Sequence, residues 1–179
     1  MTHALSSAVR RTALAALLLT TAAAPLTGAV APAQATLADL VCEVQFGFTF
    51  DPPLDNNTVD ATGNATGKAC TSPSGKYRDL TSFTVIAKGT ATGCSPAPLQ
   101  IAGTATLKWN TGQKSGVDFT VSTDPTTGDL GASGTITSGP LKGDRVTAAP
   151  VIISQNGLCG LGGVKALTAH AAVVAFIDT

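Results

Sequence analysis

The sequence predicts an all-β domain: an antiparallel β-sandwich or small β-barrel of about eight strands, held by two disulfides. Three observations carry that expectation. The first is alternation across the middle of the chain. Ile101, Gly103, Ala105, Leu107 and Trp109 interleave with Ala102, Thr104, Thr106, Lys108 and Asn110, and Val117, Phe119 and Val121 repeat the pattern, as do Leu130, Ala132 and Ile136. A period of two marks a half-buried strand. The second is punctuation. Turn-rich breaks at residues 110–116 and 124–128 separate these runs, and in the latter Pro125 presets φ while Gly128 takes a left-handed conformation readily. Short strands spaced in this way describe sandwiches and barrels. The third is an even set of cysteines, Cys42, Cys70, Cys94 and Cys159, with no CxxC spacing.

The first 35 residues read as a leader. Arg10 and Arg11 form a charged start, residues 13–24 are apolar but too short to span a bilayer, and Ala33-Gln34-Ala35 supplies the small residues of a cleavage site. Cleavage near Ala35 leaves one exported domain, 36–179, of 144 residues, long enough for a sizeable core. Without Arg10 and Arg11, nine Lys and Arg stand against eleven Asp and Glu. These charges are scattered singly, which argues against nucleic acid and against an anionic membrane as partners. Residues 164–177 are apolar but interrupted by Lys165 and His170, so no membrane span is expected.

Taken in order, residues 40–50 form an aromatic strand with Val44, Phe46, Phe48 and Phe50 on one face, and Pro52 and Pro53 stop its ladder. Residues 58–69, rich in Thr, Gly and Ala, read as an edge strand or irregular ribbon. Residues 71–79 are an exposed loop carrying the sole tyrosine, Tyr77. Phe83, Val85 and Ala87 mark another strand, followed by a proline-stiffened connection at 94–98. Residues 145–154 form a strand whose Pro150 implies an edge or a bulge. Residues 164–177, apolar on both faces, suit a central strand covered on both sides. The small inward residues Gly103, Ala105, Ala132 and Gly134 would let two sheets approach closely, so of the two architectures the sandwich is preferred.

Of the three possible disulfide connectivities, spacing favours one. Cys42 and Cys70 lie symmetrically about Asn56, in the turn-like stretch 51–57, so strands folding back there bring them opposite each other. Cys94 then pairs with Cys159.

Chemistry is sparse. His170 is the only histidine after the leader, no GxSxG elbow exists, and a catalytic triad would have to recruit that one imidazole. Glycosidase-type carboxylate pairs usually sit in an aromatic-lined cleft, and this chain has one tryptophan and one tyrosine. No enzymatic activity and no cofactor are expected. Asp55, Asn57 and Asp60 offer oxygen ligands of the kind Ca²⁺ takes, but Val59 breaks the EF-hand pattern, and Asx side chains in a turn cap local backbone without metal. Trp109 is expected to plug one end of the core.

The segment GTATLKWNTGQKSGVDFTVSTDPTTGDLGASGTITSGPLKGDRVTA, residues 103–148, resembles a group of small secreted proteins of actinobacteria. There a GTxTxxWxTG strand and turn precedes a TSGxxxGD turn and a late cysteine. The resemblance implies an exported β-rich domain and carries no activity. A looser similarity is to secreted apoproteins of enediyne chromophores, from which the cysteine spacings here depart. The functional expectation is an exported binding domain for a small apolar ligand or a surface protein. The alternative is a structural or interaction module, such as an envelope component or a protease inhibitor presenting loop 71–79 or 94–98.

Overall fold

The computed structural model describes residues 38–94, 97–123 and 129–179, with the backbone alone at 149–152 and 172. The expected leader, the 124–128 turn and residues 95–96 of the proline-stiffened connection lie outside the described residues. Eight strands follow one another: β1 (Leu40–Leu54), β2 (Val59–Thr71), β3 (Phe83–Thr92), β4 (Gln100–Trp109), β5 (Lys114–Thr123), β6 (Leu130–Ser138), β7 (Arg145–Leu158) and β8 (Gly163–Ile177). Each pairs antiparallel with the next, and β8 pairs with β1, so the meander closes into a barrel. This resolves the choice of architecture against the sandwich. Closure gives every strand two neighbours and leaves no bare edge. Both expected disulfides are present, Cys42–Cys70 and Cys94–Cys159.

The strand read as an irregular edge, residues 58–69, is a regular member of the wall, paired along its length with β1 and β3. Its inward positions are too small to pack by themselves, and neighbouring aromatics cover them. Phe48 stands directly opposite Gly63, and Phe83 opposite Gly67. A Cβ at Gly63 would lie 2.5 Å from the Phe48 ring, and one at Gly67 would overlap the Phe83 ring. Large side chains on adjacent strands thus fill space that glycine leaves open, a pairing that also pins register.

Pro52 and Pro53 interrupt both ladders of β1. Pairing with β2 ends at Asp51↔Asp60, and pairing with β8 lapses after Thr49↔Ala166 and resumes, in a shifted register, only at Leu54↔Val164. Pro150 does mark a bulge. Between Ala132↔Ala148 and Leu130↔Val151, two steps along β6 match three along β7. An extra residue exchanges the two faces of a strand. Val146 and Ala148 therefore pack inward before it, and Ile153 after it.

The last strand makes the same exchange. Leu167, Ala169 and Ala171 are buried, then Val174 and Phe176. The change falls where Val44↔Ala171 and Cys42↔Val174 bracket one residue of β1 and two of β8. Residues 164–177 read as apolar on both faces because their inward parity switches along the strand. The outer face is not covered, since Lys165, Thr168, His170 and Val173 are exposed.

Candidate functional site: the barrel lumen

Inward side chains fill both ends of the barrel and leave its middle open. At the end where β1 begins, Trp109 meets Phe83 at 5.0 Å and Phe176 at 5.9 Å between ring centroids, with Phe83 and Phe176 edge-on at 6.1 Å. Trp109 is 2% exposed. Its Nε1–H donates to Ser115 Oγ at 2.9 Å, and that hydroxyl donates to the Pro140 carbonyl at 2.7 Å. This chain satisfies a buried indole that would otherwise be costly to bury. Leu80 and Leu141, from the β2–β3 and β6–β7 connections, are buried over the same end.

The β2–β3 connection is a folded cap rather than a free loop. Ser72 Oγ accepts from the Tyr77 amide at 3.2 Å, Leu80 N–H donates to the Tyr77 carbonyl at 3.1 Å, and Asn110 binds Thr81, Ser82 and Asp79 through its side-chain amide. Tyr77 is half-buried against the core, with Lys76 Nζ 5.0 Å from its ring centroid. At the opposite end Leu54, Val59, Ala91, Ile101, Leu130 and Leu167 are buried.

Between these plugs lies a cavity of about 140 Å³. Phe46, Ala65, Val85, Ala105, Phe119, Ala132, Val146 and Ala148 line it, and all remain only partly buried. They come from seven successive strands, β1 to β7, and form a belt at mid-height. The inward-facing side chains around the cavity are all apolar; Asn64 and Ser133, which also border it, stand at exposed outward positions of their strands. The alternation of small and aromatic residues creates the space. Five phenylalanines reach it, while alanine or glycine occupies the lining at 65, 87, 105, 132, 134 and 148.

The other residues singled out from sequence lie apart from this site. His170 is exposed on the outer face, opposite Gln45 of β1 and Ile152 of β7. Asp55 Oδ1 accepts a hydrogen bond from the Gly160 amide at 3.1 Å, joining the β1–β2 and β7–β8 turns. Asn57 and Asp60 are exposed, and the described residues include no group of three or more His, Cys, Asp or Glu able to hold a metal.

Two buried acids escaped sequence reading. Asp39 and Asp144, 6% and 3% exposed, sit at the plugged β1 end, and each has a buried Oδ2 without a hydrogen-bond partner. Lys76 Nζ lies 3.5 Å from Asp39 Oδ2, at ion-pair distance. Burial, with the charges of Asp39 and Asp178 adding to it, raises the Asp144 carboxyl to about 6. Both acids fall just outside the alternating strands, where periodicity carries no signal.

Set against protein-family models, curated proteins and solved structures, the chain matches none.

Proposed function

We propose that this protein is a non-enzymatic binder of a small apolar molecule, held in the barrel lumen. The observation that carries the reading is an apolar cavity at mid-barrel between two filled ends. Its volume sets the ligand class. A cavity of about 150 Å³ lined by aliphatic and aromatic side chains stays dry and takes benzene, whereas pockets for drug-sized ligands span roughly 300–1,000 Å³. The lumen therefore suits a single ring or a short hydrocarbon chain. With no inward polar side chain to pair with, a ligand bearing a charge or several hydroxyls would lose hydration for no return.

The compartment belongs to the same reading. Two disulfides suggest an oxidising, extracellular setting, and the leader-like first 35 residues supply an export route. Outward positions carry Lys68, Lys88, Lys108 and Asp118 with many threonines, while apolar residues point inward. A lipid-embedded barrel has the reverse arrangement, so the protein acts in water.

The test is uptake of fluorobenzene, followed by ¹⁹F NMR and by thermal unfolding. Saturable binding that raises Tm is expected, and it should vanish in Ala105→Leu, which fills the belt. Absence of uptake, or uptake undiminished in that folded variant, would overturn the reading. Native mass spectrometry of protein from its own culture medium then identifies the physiological ligand.

One feature favours the interaction-module alternative. The β7–β8 turn exposes Leu158 and Leu161, 62% and 78% accessible, beside Cys159, whose bridge to Cys94 fixes the turn. A pulled-down partner lost on Leu158→Ser/Leu161→Ser would support it.

A further inference from the structure

We propose that the lumen selects an aromatic guest, a single flat ring, over a saturated hydrocarbon of comparable bulk. This rests on the lumen being a binding site and narrows the class of molecule it takes. Volume alone admits either kind, since about 140 Å³ holds one benzene ring or a short chain. The lining tells them apart.

The rings that touch one another inside the barrel fall into two groups. Phe46, Phe48 and Phe119 make one, with centroids 6.2 Å apart at Phe46–Phe48 and 5.8 Å at Phe48–Phe119. Phe83, Trp109 and Phe176 make the other, at 5.0 to 6.1 Å. Among the described residues no ring pair joins one group to the other. The cavity borders both. Phe46, Phe48 and Phe119 line it from the first group, and Phe83 and Phe176 from the second.

Two of these rings are left with uncovered flanks. Phe46 and Phe119 stand on β1 and β5, opposite strands in the ring of eight. Phe46 is directly opposed by Ala65 of β2 and Ala169 of β8, and Phe119 by Gly103 of β4 and Gly134 of β6. Their cross-strand neighbours thus offer a methyl group or no side chain at all. Both phenylalanines are only partly buried, although they point into the barrel. An aromatic ring is negative on its face and positive at its edge, so rings meeting edge-on or offset at 4.5–7 Å gain more than burial alone supplies. A guest ring in the cavity meets Phe46 and Phe119 from one group and Phe83 and Phe176 from the other, and so joins the two. A saturated guest in the same place gains burial and dispersion only.

The experiment titrates fluorobenzene and fluorocyclohexane by ¹⁹F NMR into wild type, Phe46→Leu and Phe50→Leu. Each association constant is divided by the probe's own water-to-hexadecane partition coefficient, which removes the difference in hydrophobicity and leaves the contribution of the lining. In wild type the corrected constants are expected to favour fluorobenzene by about three- to tenfold. Phe46→Leu keeps the lining apolar but removes one ring, and the preference should fall to about twofold or less. Phe50 is buried on the same strand outside the cavity lining, so Phe50→Leu should keep it. Equal corrected constants in wild type, or a preference that survives Phe46→Leu, would overturn the aromatic selection while leaving lumen binding intact. Loss of the preference in both variants alike would trace it to loosening of the barrel and overturn the selection too. Failure of wild type to bind either probe would overturn the binding reading and the selection with it. Should Phe46→Leu not fold, nuclear Overhauser contacts between bound fluorobenzene and the Phe46 and Phe119 ring protons of wild type decide: their presence supports the selection and their absence rejects it.

Discussion

Phe48 of β1 and Phe119 of β5 meet with ring centroids 5.8 Å apart, although they belong to strands that stand opposite each other in the ring of eight. Their contact crosses the lumen. It is possible because Phe119 pairs with glycine on both flanks, Gly103 on one side and Gly134 on the other, while Phe48 lies over Gly63. The bridge separates the filled end around Ile101 and Leu130 from the open middle. Phe119→Ala should cost about 3–5 kcal/mol in urea unfolding. It should also enlarge the lumen, so that a two-ring aromatic excluded by the wild-type protein now binds. Stability loss without a change in ligand size range would show that Phe119 packs the core and does not bound the cavity.

Glycines in the wall differ in what they tolerate. Gly67→Ala puts a methyl group into the Phe83 ring, and several kcal/mol of destabilisation is expected, on the order of the overpacking range of 1–3 kcal/mol or above it. Gly131→Ala meets nothing nearer than the Ser122 carbonyl at 3.9 Å, and its change should stay within about 0.5 kcal/mol. Equal effects at the two sites in chemical denaturation would contradict the aromatic-over-glycine packing.

Sequence periodicity made the wall legible and left the site dark. Strands 101–109, 117–121 and 130–136 were visible because one face of each is buried and the other wet, and the cysteine pairing followed from symmetry about Asn56. Sandwich and barrel share that alternation, so the sequence could not separate them; what decides is the pairing of β1 with β8, a contact between opposite ends of the domain. The small residues Ala105, Ala132 and Gly134 suggested close sheets, whereas in a barrel the same residues leave a void. Residues 164–177 were misread as doubly covered because a bulge that exchanges faces cannot be told from a run that is apolar throughout.

Ser115 holds the end plug through a single hydroxyl. Ser115→Ala leaves the Trp109 indole N–H and the Pro140 carbonyl without that partner in a buried site, at a cost of about 1–3 kcal/mol. Trp109 emission, the only indole signal, should shift to the red as water reaches it. Unaltered emission and stability would mean that another group takes over the bond.

Stability should fall as pH rises through the range set by Asp144. The native carboxyl is raised from 3.8 to about 6, chiefly by burial. Between those values the folded chain binds more protons than the unfolded one, so raising the pH favours unfolding. The penalty is absent below about pH 4 and complete above about pH 6. Asp144→Asn should be more stable than wild type at pH 7 and lose that advantage at pH 4, as read by urea unfolding at both values. An advantage of equal size at both would rule out ionisation as its source.

Replacing Cys94 and Cys159 by alanine opens a 65-residue loop, for which the chain-entropy model gives a loss of about 4 kcal/mol. The Leu158–Leu161 turn should then lose protection from proteolysis ahead of the wall. A turn still resistant to cleavage would place its rigidity in the Asp55–Gly160 hydrogen bond instead.

A ring of strands in sequence order closes last where its two ends meet. Ribosomal synthesis delivers β1 first and β8 last. Until β8 emerges, β1 has one bare edge and the growing sheet exposes an apolar face. The Cys42–Cys70 bridge can form among the first two strands, spanning 28 residues, but Cys94–Cys159 must wait for the final hairpin. A chain ending before β8, which pairs with β1 from Leu54↔Val164 to Leu40↔Phe176, is not a smaller barrel but an open ribbon prone to pair with its own copies.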